Sequence, residues 1–393
     1  MVTSLQKKLS EIVGQDYVAT GKEDLIIYAY DASGVENMPE AVVWPRDAAQ
    51  VQKIVQYALR NKRSLVPRGG GTGLCGAAVG KDAIIVDMSF MNQVKELDLK
   101  KKELTVGAGV VLRDLNVYLD PYDLFFPVVP ASHEVCEVGG AISTDAAGMR
   151  AIKYGRMSDW VSWVEVIDGT GKLLRLSPDE IKATEGLLGI ITEARLKLSD
   201  IIVDISLTVA TLENIDSLMD RIGELKAQNP ISLEFFDKRT AELAGLKPMY
   251  HLFAEFEGNA GEITDEERIA KLKRLREGTG PALSANGYLI MEDPKIPDEN
   301  MSHFLRWLRR HDVPVFGHIG IGILHPRFKT TQKQLIDSMY KQVAKLGGDV
   351  SGEHGIGQVK KRYVSDAVVK RIKGLKEKHD PEKIFNRGKI YDQ

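Results

Sequence analysis

The sequence predicts an α+β protein of two or three domains, and three observations lead to that prediction. The 393 residues are enough for that number of domains of ordinary size. Up to about residue 204, short apolar strands alternate with helical patterns, which indicates an α/β unit. From about Ile205 the order of strands and helices instead favours an antiparallel α+β domain.

The elements of the first part follow from local patterns. Residues up to about Lys22 favour an amphipathic helix followed by a polar turn. Ala41–Pro45 is typical of a short strand, and Asp47 is placed to cap a helix that runs to about Asn61. The later patterns predict strands at Leu65–Pro67 and Leu104–Gly109, a helix at Leu112–Leu119, a hairpin of Trp163–Asp168 and Leu173–Leu176 turned by Gly169–Lys172, and a strand at Ala194–Leu198.

The second part shows a different set of patterns. They predict strands at Leu207–Thr211, Ser232–Phe236, Tyr250–Phe256 and Pro314–Gly317, and helices at Ile215–Lys226, Thr264–Arg276 and Glu299–Arg310. A basic helix begins at about Ser365 in the tail. We find no internal repeat and no low-complexity linker, so both parts are expected to fold.

Composition and charge exclude several classes of protein. The formal net charge is −2, so bulk charge does not indicate nucleic-acid binding. No apolar run has the length of a membrane span, and the first seven residues lack the apolar core of a signal peptide. Two cysteines, Cys75 and Cys136, are too few for a disulfide framework or, by themselves, an iron–sulfur cluster. The sequence therefore predicts a cytoplasmic protein in which any electron chemistry uses an organic cofactor.

A glycine-rich stretch, Pro67–Gly80, follows the predicted strand at Leu65–Pro67. Six of its fourteen residues are glycine, so its backbone can turn through positive φ and aim several N–H groups at one point. Such a concave run of amides binds anions, above all phosphate or pyrophosphate. The stretch lacks the Gly-Lys-Ser/Thr ending of a nucleotide P-loop and the spacing of the dinucleotide fingerprint. A phosphate cradle and a purely structural turn both stay open from these residues alone.

A second stretch of small residues, Pro130–Gly148, has the same two interpretations. Alanine and glycine dominate its second half, as where a backbone packs flush against a flat ligand. Tight packing of a helix would favour the same residues.

Three of the eight histidines lie in two short segments, Phe316–Pro326 and Ser351–Gly357. An isolated histidine on a strand is commonly a hydrogen-bonded core group. His318 and His325 would face opposite ways on a straight strand, but Gly320 and Gly322 permit a bend that brings both to one centre. With Glu353 they form a set of two imidazoles and a carboxylate, which suits Zn²⁺, Mn²⁺ or Fe²⁺.

Taken together, these motifs resemble a known family. The chain is similar to the FAD-linked oxidases of the vanillyl-alcohol oxidase / p-cresol methylhydroxylase fold. Within them it resembles the D-2-hydroxy-acid dehydrogenases: D-lactate dehydrogenase, D-2-hydroxyglutarate dehydrogenase and the catalytic subunit of glycolate oxidase. The matching segments cover nearly the whole chain in the family's order: Tyr30–Ser33, Pro67–Ala78, Phe126–Pro127, Pro130–Ser132, Gly139–Gly148, Tyr154–Gly155, Glu185–Thr192, Phe256–Gly258, His318–His325, Gly352–Gly357 and Asp380–Lys389.

The resemblance implies a two-part FAD-binding domain of that type over residues 1–204 and an α+β cap domain on an antiparallel sheet over residues 205–345. Residues 346–393 would return to the FAD domain and carry the Glu-His motif. The glycine loop contains no histidine, so we expect FAD to be bound non-covalently. The residues that the resemblance implies for FAD are Pro67, Arg68, Gly69, Gly70, Gly71, Thr72, Gly73, Leu74, Gly76, Ala77, Pro130, Ala131, Ser132, Val138, Gly139, Gly140, Ser143, Thr144, Ala146, Gly148, Tyr154, Gly155, Glu185, Gly186, Gly189, Ile190, Ile191 and Asn386.

The resemblance also implies a reaction. The protein would oxidise a small D-2-hydroxy acid, lactate-like or glycolate-like, to the 2-oxo acid by hydride transfer to flavin N5. His318, His325 and Glu353 match the family's metal ligands, and His354 matches its catalytic base. Arg276 best matches the arginine that clamps the substrate carboxylate, although an exposed helix face beside Lys271, Lys273 and Arg274 would explain it equally well.

Three departures from the family pattern bear on the substrate. Ile321 and Ile323 stand where relatives commonly carry Asp and Asn, and isoleucine cannot hydrogen-bond a carboxylate. Met291 stands where the hydroxyglutarate enzymes carry a lysine. These changes favour a small or more apolar 2-hydroxy acid, and lactate is the first expectation.

Two alternatives stay open. One is another enzyme on the same fold, such as an aryl-alcohol oxidase or a flavin reductase, against which His318, His325 and Glu353 argue. The other is an FAD-carrying subunit of an electron-transfer complex without hydroxy-acid activity of its own. Because the chain has no iron–sulfur ligands of its own, we expect the enzyme to need a separate electron acceptor. The candidates are an iron–sulfur protein, an electron-transferring flavoprotein and a quinone. We expect a homodimer or a subunit of a complex that reaches a membrane, if at all, through a partner.

Overall fold

The computed structural model describes residues 4–392, and these form two compact units. The first unit comprises the chain up to Ala146, Arg156–Ile201 and the chain from His354 onward. The second comprises Ala147–Gly155 and Ile202–Glu353. The boundaries 1–204, 205–345 and 346–393 stay a prediction. Residues 1–3, where the chain was predicted to lack a signal-peptide core, lie outside the described residues, as does residue 393.

The described residues contain fourteen α-helices: seven correspond to predicted ones, and seven, Lys333–Lys345 among them, were not predicted. In chain order they are α1 Ser4–Val13, α2 Lys22–Leu25, α3 Ala48–Asn61, α4 Leu112–Leu119, α5 Val138–Thr144, α6 Ala151–Tyr154, α7 Pro178–Ile181, α8 Ile215–Lys226, α9 Lys238–Leu243, α10 Glu266–Glu277, α11 Thr279–Ala285, α12 Met301–Arg310, α13 Lys333–Lys345 and α14 Asp366–His379. No helix within residues 4–392 is both long enough and apolar enough to span a membrane.

The strands form one small and one larger sheet in the first unit, a two-stranded pair, and a large sheet in the second unit. In chain order they are β1 Val18–Ala19, β2 Ala41–Val43, β3 Leu65–Arg68, β4 Ile84–Asp87, β5 Val94–Asp98, β6 Glu103–Gly107, β7 Leu124–Phe125, β8 Val161–Asp168, β9 Leu173–Leu176, β10 Gly189–Lys197, β11 Ser199–Asp200, β12 Ile205–Leu212, β13 Ser232–Phe236, β14 Tyr250–Glu257, β15 Ile290–Met291, β16 Val315–His318 and β17 Ile323–Phe328.

The four-stranded sheet of the first unit, in the order β1-β2-β4-β3, delivers the glycine loop. Strands β2 and β3 both run parallel to β4. A parallel strand covered on both faces is apolar throughout, and this explains the uninterrupted run Ile84-Ile85-Val86, which is fully buried. The glycine loop leaves this sheet at the end of β3, as the sequence predicted.

Helix α3 shares a hydrophobic core with β4 and shows how local chemistry sets the element. The Asp47 side chain accepts a hydrogen bond of 2.8 Å from the Gln50 amide, which satisfies one of the open donors of the first turn. Val51, Ile54 and Val55 recur at helical spacing and are completely buried. Burying each of these side chains contributes about 1.5–3 kcal/mol. Lys62 ends the helix in the left-handed conformation.

The second sheet of the first unit is five-stranded and antiparallel, in the order β5-β6-β10-β8-β9. Its strand β10 begins at Gly189, earlier than the predicted start at Ala194. The glycine pattern before Ala194 resembles a loop, but Gly189 pairs with Asp168 in the ladder. A Cβ at Gly189 would clash with the Ile167 carbonyl oxygen, so the close approach of two strands requires this glycine.

The second unit is built on a six-stranded sheet in the order β12-β14-β13-β16-β17-β15. Every neighbouring pair in it is antiparallel. The predicted antiparallel sheet of the cap domain is therefore confirmed. Its strand β13 is buried along its whole length, including the charged residue Glu234, and this position matters for the site described next.

Candidate active site

The two predicted metal-ligating histidines lie on neighbouring strands of the second unit. His318 ends β16 and His325 lies within β17, and the chain reverses between them through a 3-10 turn at Ile319–Ile321. Phe316 pairs with His325, and His318 pairs with Ile323. Both histidines therefore project from the same face of the hairpin and are diagonal neighbours on adjacent strands. Their ring centroids are 5.1 Å apart.

The bend expected at Gly320 and Gly322 is a hairpin that joins β16 to β17. Gly322 makes the reversal possible with φ 76°, a left-handed conformation that favours glycine. A Cβ at Gly322 would also clash with the Ile296 carbonyl oxygen. The consequence foreseen from the glycines, that both imidazoles meet at one centre, is what the geometry shows.

Glu353 completes this cluster. One carboxylate oxygen, Oε1, lies 3.5 Å from His318 Nε2 and 3.3 Å from His325 Nε2. The three candidate ligand atoms all lie within 4.8 Å of one another, and both histidines are buried. Asp293, itself fully buried, positions the acidic residue, because the Glu353 amide donates a 2.7 Å hydrogen bond to its carboxylate. Two imidazole nitrogens and a carboxylate that converge in this way fit a divalent transition-metal ion.

A chain of charged groups lies behind His318. His318 Nδ1 lies 2.6 Å from Glu234 Oε1, and Arg276 Nε donates a 2.6 Å hydrogen bond to Glu234 Oε2. A carboxylate on Nδ1 holds the imidazole in one orientation and leaves the Nε2 lone pair for a metal ion. Burial opposes ionisation of Glu234, but Arg276 and His318 outweigh it and lower the pKa of its carboxyl.

Burial likewise opposes the charge of His318, but the carboxylates of Glu234 and Glu353 outweigh it and raise its pKa to about 9. This cluster therefore favours positive charge at His318 Nε2, which a proton or a metal ion can supply.

Arg276 is held at the inner face of α10 rather than on an exposed helix surface. Its side chain is 15% exposed, it binds Glu234, and its guanidinium lies over the Phe316 ring at 5.4 Å from the centroid. Its role as a substrate clamp stays a prediction. Sequence reasoning missed Glu234, although a glutamate in the middle of the apolar strand Ser-Leu-Glu-Phe-Phe is a signal that could have found it.

His354, the predicted base, follows Glu353 directly and begins the last segment of the first unit. The turn after it is anchored on buried Glu185. The amides of Ile356 and Gly357 donate hydrogen bonds of 2.6 and 2.8 Å to the two oxygens of that carboxylate. A Cβ at Gly355 would lie 2.8 Å from the same carboxylate, so glycine is needed there. The Glu185 carboxylate thus holds the segment that starts at His354, and the implied contact of Glu185 with the cofactor stays a prediction.

The glycine loop is tightly braced along one side. A Cβ at Gly70 would clash with the Val135 carbonyl oxygen, and Gly71 has φ 66°. Arg68 Nη1 donates hydrogen bonds to the carbonyl oxygens of Tyr30 at 2.8 Å and Ala78 at 3.2 Å. Arg68 thus connects the loop near its C-terminal end, at Ala78, to the segment at Tyr30. Burial lowers the pKa of its guanidinium.

Other parts of the predicted cofactor set face open space. Around the position of a Cβ at Gly73 or Gly140 no other atom lies within 4 Å. Gly139, in contrast, packs against Ala108, with its own Cβ position 2.9 Å from the Ala108 Cβ. In the second small-residue stretch, one glycine is thus needed for tight packing, whereas there is open space at the next; a ligand against this stretch stays a prediction. A braced loop with open glycine backbone fits a diphosphate-containing cofactor such as FAD.

Several other residues of the set differ in what they could offer a cofactor. The side chains of Val138, Ile190 and Ile191 are in the hydrophobic core, so only their backbone is available to a cofactor. Asn386 braces the loop, because its amide donates to the carbonyl oxygens of Ala77 and Glu185. Gly148, Tyr154 and Gly155 lie in the second unit, whereas the other residues of the set lie in the first unit.

Comparisons with known proteins agree with this architecture. A family described as "FAD binding domain" matches residues 39–177, and "FAD linked oxidases, C-terminal domain" matches residues 248–390. Glycolate oxidase subunit GlcD of Bacillus subtilis (strain 168) is 28% identical, over 100% of this chain and 97% of that protein. D-2-hydroxyglutarate dehydrogenase of Stutzerimonas stutzeri (strain A1501) is 28% identical over 99% of both chains. D-lactate dehydrogenase of Anaerostipes hadrus is 27% identical over 90% of this chain and 89% of that protein.

Among solved structures, alkyldihydroxyacetonephosphate synthase superposes with a TM-score of 0.73 at 18% identity, over 97% of this chain and 83% of the other. That likeness confirms the fold. The two family matches lie in order on one chain, and the relatives align over nearly its whole length. The chain therefore belongs to the FAD-linked oxidases, a family of FAD-dependent oxidoreductases, and combines their FAD-binding domain with their C-terminal domain.

Proposed function

We propose that the protein is an FAD-dependent dehydrogenase that oxidises a small D-2-hydroxy acid to the 2-oxo acid. The observation that carries this proposal is the buried cluster of His318, His325 and Glu353, with Glu234 behind it. Its relatives are named for glycolate, D-lactate and D-2-hydroxyglutarate, which are all 2-hydroxy acids. A site that holds a divalent cation is suited to bind the hydroxyl and one carboxylate oxygen that every such acid presents.

The roles of the chain's residues follow from this proposal. His318, His325 and Glu353 would hold a divalent ion, Zn²⁺, Mn²⁺ or Fe²⁺, which as a Lewis acid lowers the pKa of the substrate hydroxyl. FAD, bound non-covalently at the glycine loop, supplies the acceptor for the hydride that leaves C2. His354 takes the hydroxyl proton on an imidazole nitrogen, so that the loss of one proton and one hydride converts the hydroxy acid into the oxo acid.

The cluster has an apolar neighbour, which bears on substrate choice. Ile323 lies on the same strand face as His325, is fully buried, and packs against Gly352, the residue before Glu353. An isoleucine there offers no hydrogen bond to a second carboxylate. We therefore propose a monocarboxylate with a short side chain, lactate first and glycolate next.

The reduced flavin needs an electron acceptor, for which we propose a separate iron–sulfur protein, electron-transferring flavoprotein or quinone. A second candidate function is that of an FAD-carrying subunit of an electron-transfer complex without hydroxy-acid activity of its own. The apolar Ile323 beside the cluster favours this candidate, because it departs from the polar pattern of related substrate sites.

The anaerobic visible spectrum of the FAD-loaded protein distinguishes the two candidates. D-Lactate, glycolate and D-2-hydroxyglutarate are added in turn, before and after chelation and after return of Zn²⁺ or Mn²⁺. We expect one acid, lactate first, to bleach the flavin only with metal present. His325→Gln should keep FAD but lose bleaching, whereas His303→Gln, on an exposed part of α12, should behave as wild type. A flavin spectrum unchanged by all three acids would refute the dehydrogenase and favour the subunit.

A further inference from the structure

A cavity with a volume of about 330 Å³ lies in the first unit, at the N-terminal ends of β3 and β4. Ser64 directly precedes β3 and Ala83 directly precedes β4, and both line it. The glycine loop leaves β3 at the other end of that strand. Val79 and Gly80, at the end of the glycine-rich stretch, line the cavity, but none of the residues implied for FAD does. Its size is that of a pocket for a small organic molecule.

The charged groups of this cavity are nearly all positive. Its cations are Lys62, Arg63, Lys81, Arg387 and Lys389, and its acidic residue is Asp82. Arg63 is partly neutralised, because Glu40 lies 2.7 Å from its Nη1. A net positive rim around a recess concentrates the field inside it and attracts anions.

One of these cations is buried rather than exposed. Lys389 is 1% exposed, and its ammonium donates to the Ala77 carbonyl oxygen and, at 3.0 Å, to Asn386 Oδ1. Two of its three N–H donors are thus used. Burying an ammonium is costly unless an anion compensates it. Burial lowers the pKa of Lys389 to about 7. The carboxylates of Asp31 and Glu185 raise this pKa, whereas the cations Lys376 and Arg68 lower it further.

The other walls add polar and apolar contacts. Val66, Val79 and Ala83 are buried and form an apolar surface. Asn37 donates to Gln358 at 3.3 Å, so two amide side chains stand together at the wall. Cations at the rim, two amides at the wall and three apolar lining residues together match a ligand that is anionic at one end and apolar at the other.

We propose that this cavity binds a small organic anion, phosphorylated or multiply carboxylated and with a compact apolar part, at a site lined by none of the residues implied for FAD. A phosphate ester and a di- or tricarboxylate present the same chemistry to the cations. This site does not depend on the hydroxy-acid reaction.

Isothermal titration calorimetry on the full chain saturated with FAD tests the proposal, because FAD then blocks its own phosphate site. The probes are AMP, citrate and inorganic phosphate, in two buffers of different ionisation enthalpy. We expect AMP or citrate to bind with 1:1 stoichiometry and more tightly than phosphate. Proton uptake on binding is also expected, since an anion beside Lys389 favours its charged form. Binding of AMP but not citrate would identify the ligand class as phosphate esters, and binding of citrate but not AMP would identify it as polycarboxylates.

Charge reversal at the rim assigns the signal to the cavity. Lys81→Glu combined with Arg387→Glu should weaken binding at least tenfold. Lys53→Glu, an exposed position of α3 outside the cavity, makes the same kind of charge change and should leave the affinity as in wild type. The proposal is overturned if none of the probes releases heat at 10 mM, or if the rim variant binds as tightly as the Lys53→Glu variant. A spectral test of FAD content on the same samples shows separately whether the cofactor assignment holds.

Discussion

Glu137 is the residue whose replacement gives the sharpest test of how the glycine loop works. It is 6% exposed, its Oε2 is buried without a hydrogen-bond partner, and its side chain lies 3.2 Å from the Cβ position of Gly69. Burial, and then the nearby Asp87 carboxylate, raise the pKa of its carboxyl from 4.5 to about 8, against the lowering effect of Arg68. We therefore expect this carboxyl to be largely protonated at neutral pH, so that it would not itself repel a diphosphate in the loop.

The magnitude follows from linkage. Between pH 4.5 and 8 the folded chain holds this proton while the unfolded chain has lost it, so the free energy of unfolding falls as pH rises through that window. At about 1.4 kcal/mol for each pKa unit, the loss is up to about 5 kcal/mol and is complete above pH 8. Glu137→Gln keeps the shape and cannot ionise, so it should be of similar stability to wild type at pH 4 and more stable at pH 9.

Thermal unfolding of both proteins without FAD at pH 4, 6.5 and 9 measures this difference. Glu382→Gln, an exposed position in the tail, removes the same charge and should follow the wild-type profile. In parallel, FAD affinity measured by quenching of flavin fluorescence should fall above pH 8 in wild type and stay level in Glu137→Gln. A difference in Tm between wild type and Glu137→Gln that stays constant from pH 4 to pH 9 would show that Glu137 is not a buried neutral acid.

Two further predictions concern the metal cluster and the loop. Glu234→Gln should lower metal affinity about 10- to 100-fold, because His318 loses the carboxylate that orients it. Competition with a chromogenic chelator measures the affinity, and Glu224→Gln at an exposed position is the control. Equal affinities of the two variants would contradict the prediction. Gly70→Ala should lower stability by about 1–3 kcal/mol through its clash with the Val135 carbonyl, whereas Gly73→Ala, which faces open space, should keep its Tm and weaken FAD binding. Unchanged FAD affinity in Gly73→Ala would remove that residue from the cofactor site.

Much of the fold was predictable because it depends on neighbours in the sequence. Asp47 caps α3, and the apolar positions that follow it recur every three or four residues; both signals are local and both were confirmed. The bounds of α4 and α8 agree with prediction for the same reason. The start of β10 shows the limit of local signals, because it was predicted at Ala194 and lies at Gly189. A glycine favours a loop in the sequence, and only the close approach of the partner strand explains its place in the sheet.

The chemistry of the site was predictable only in its composition. His318, His325 and Glu353 are residue types that bind metals, and their identities were sufficient to propose a centre. That His318 and His325 share a face depends on a hairpin, and that Glu234 orients His318 depends on two strands separated by 84 positions in the chain. No local pattern encodes such a pairing.

The sequence by itself determined the fold class, the family, the glycine loop and the identity of the candidate metal ligands, since residue type and short spacing are enough for each. Tertiary structure alone decided what surrounds them: the Glu234–Arg276 pair, the burial that raises the pKa of Glu137, and the buried Lys389. The physical reason is that the charge state and orientation of a side chain depend on burial and on partners brought from distant parts of the chain, which periodicity along the sequence does not record.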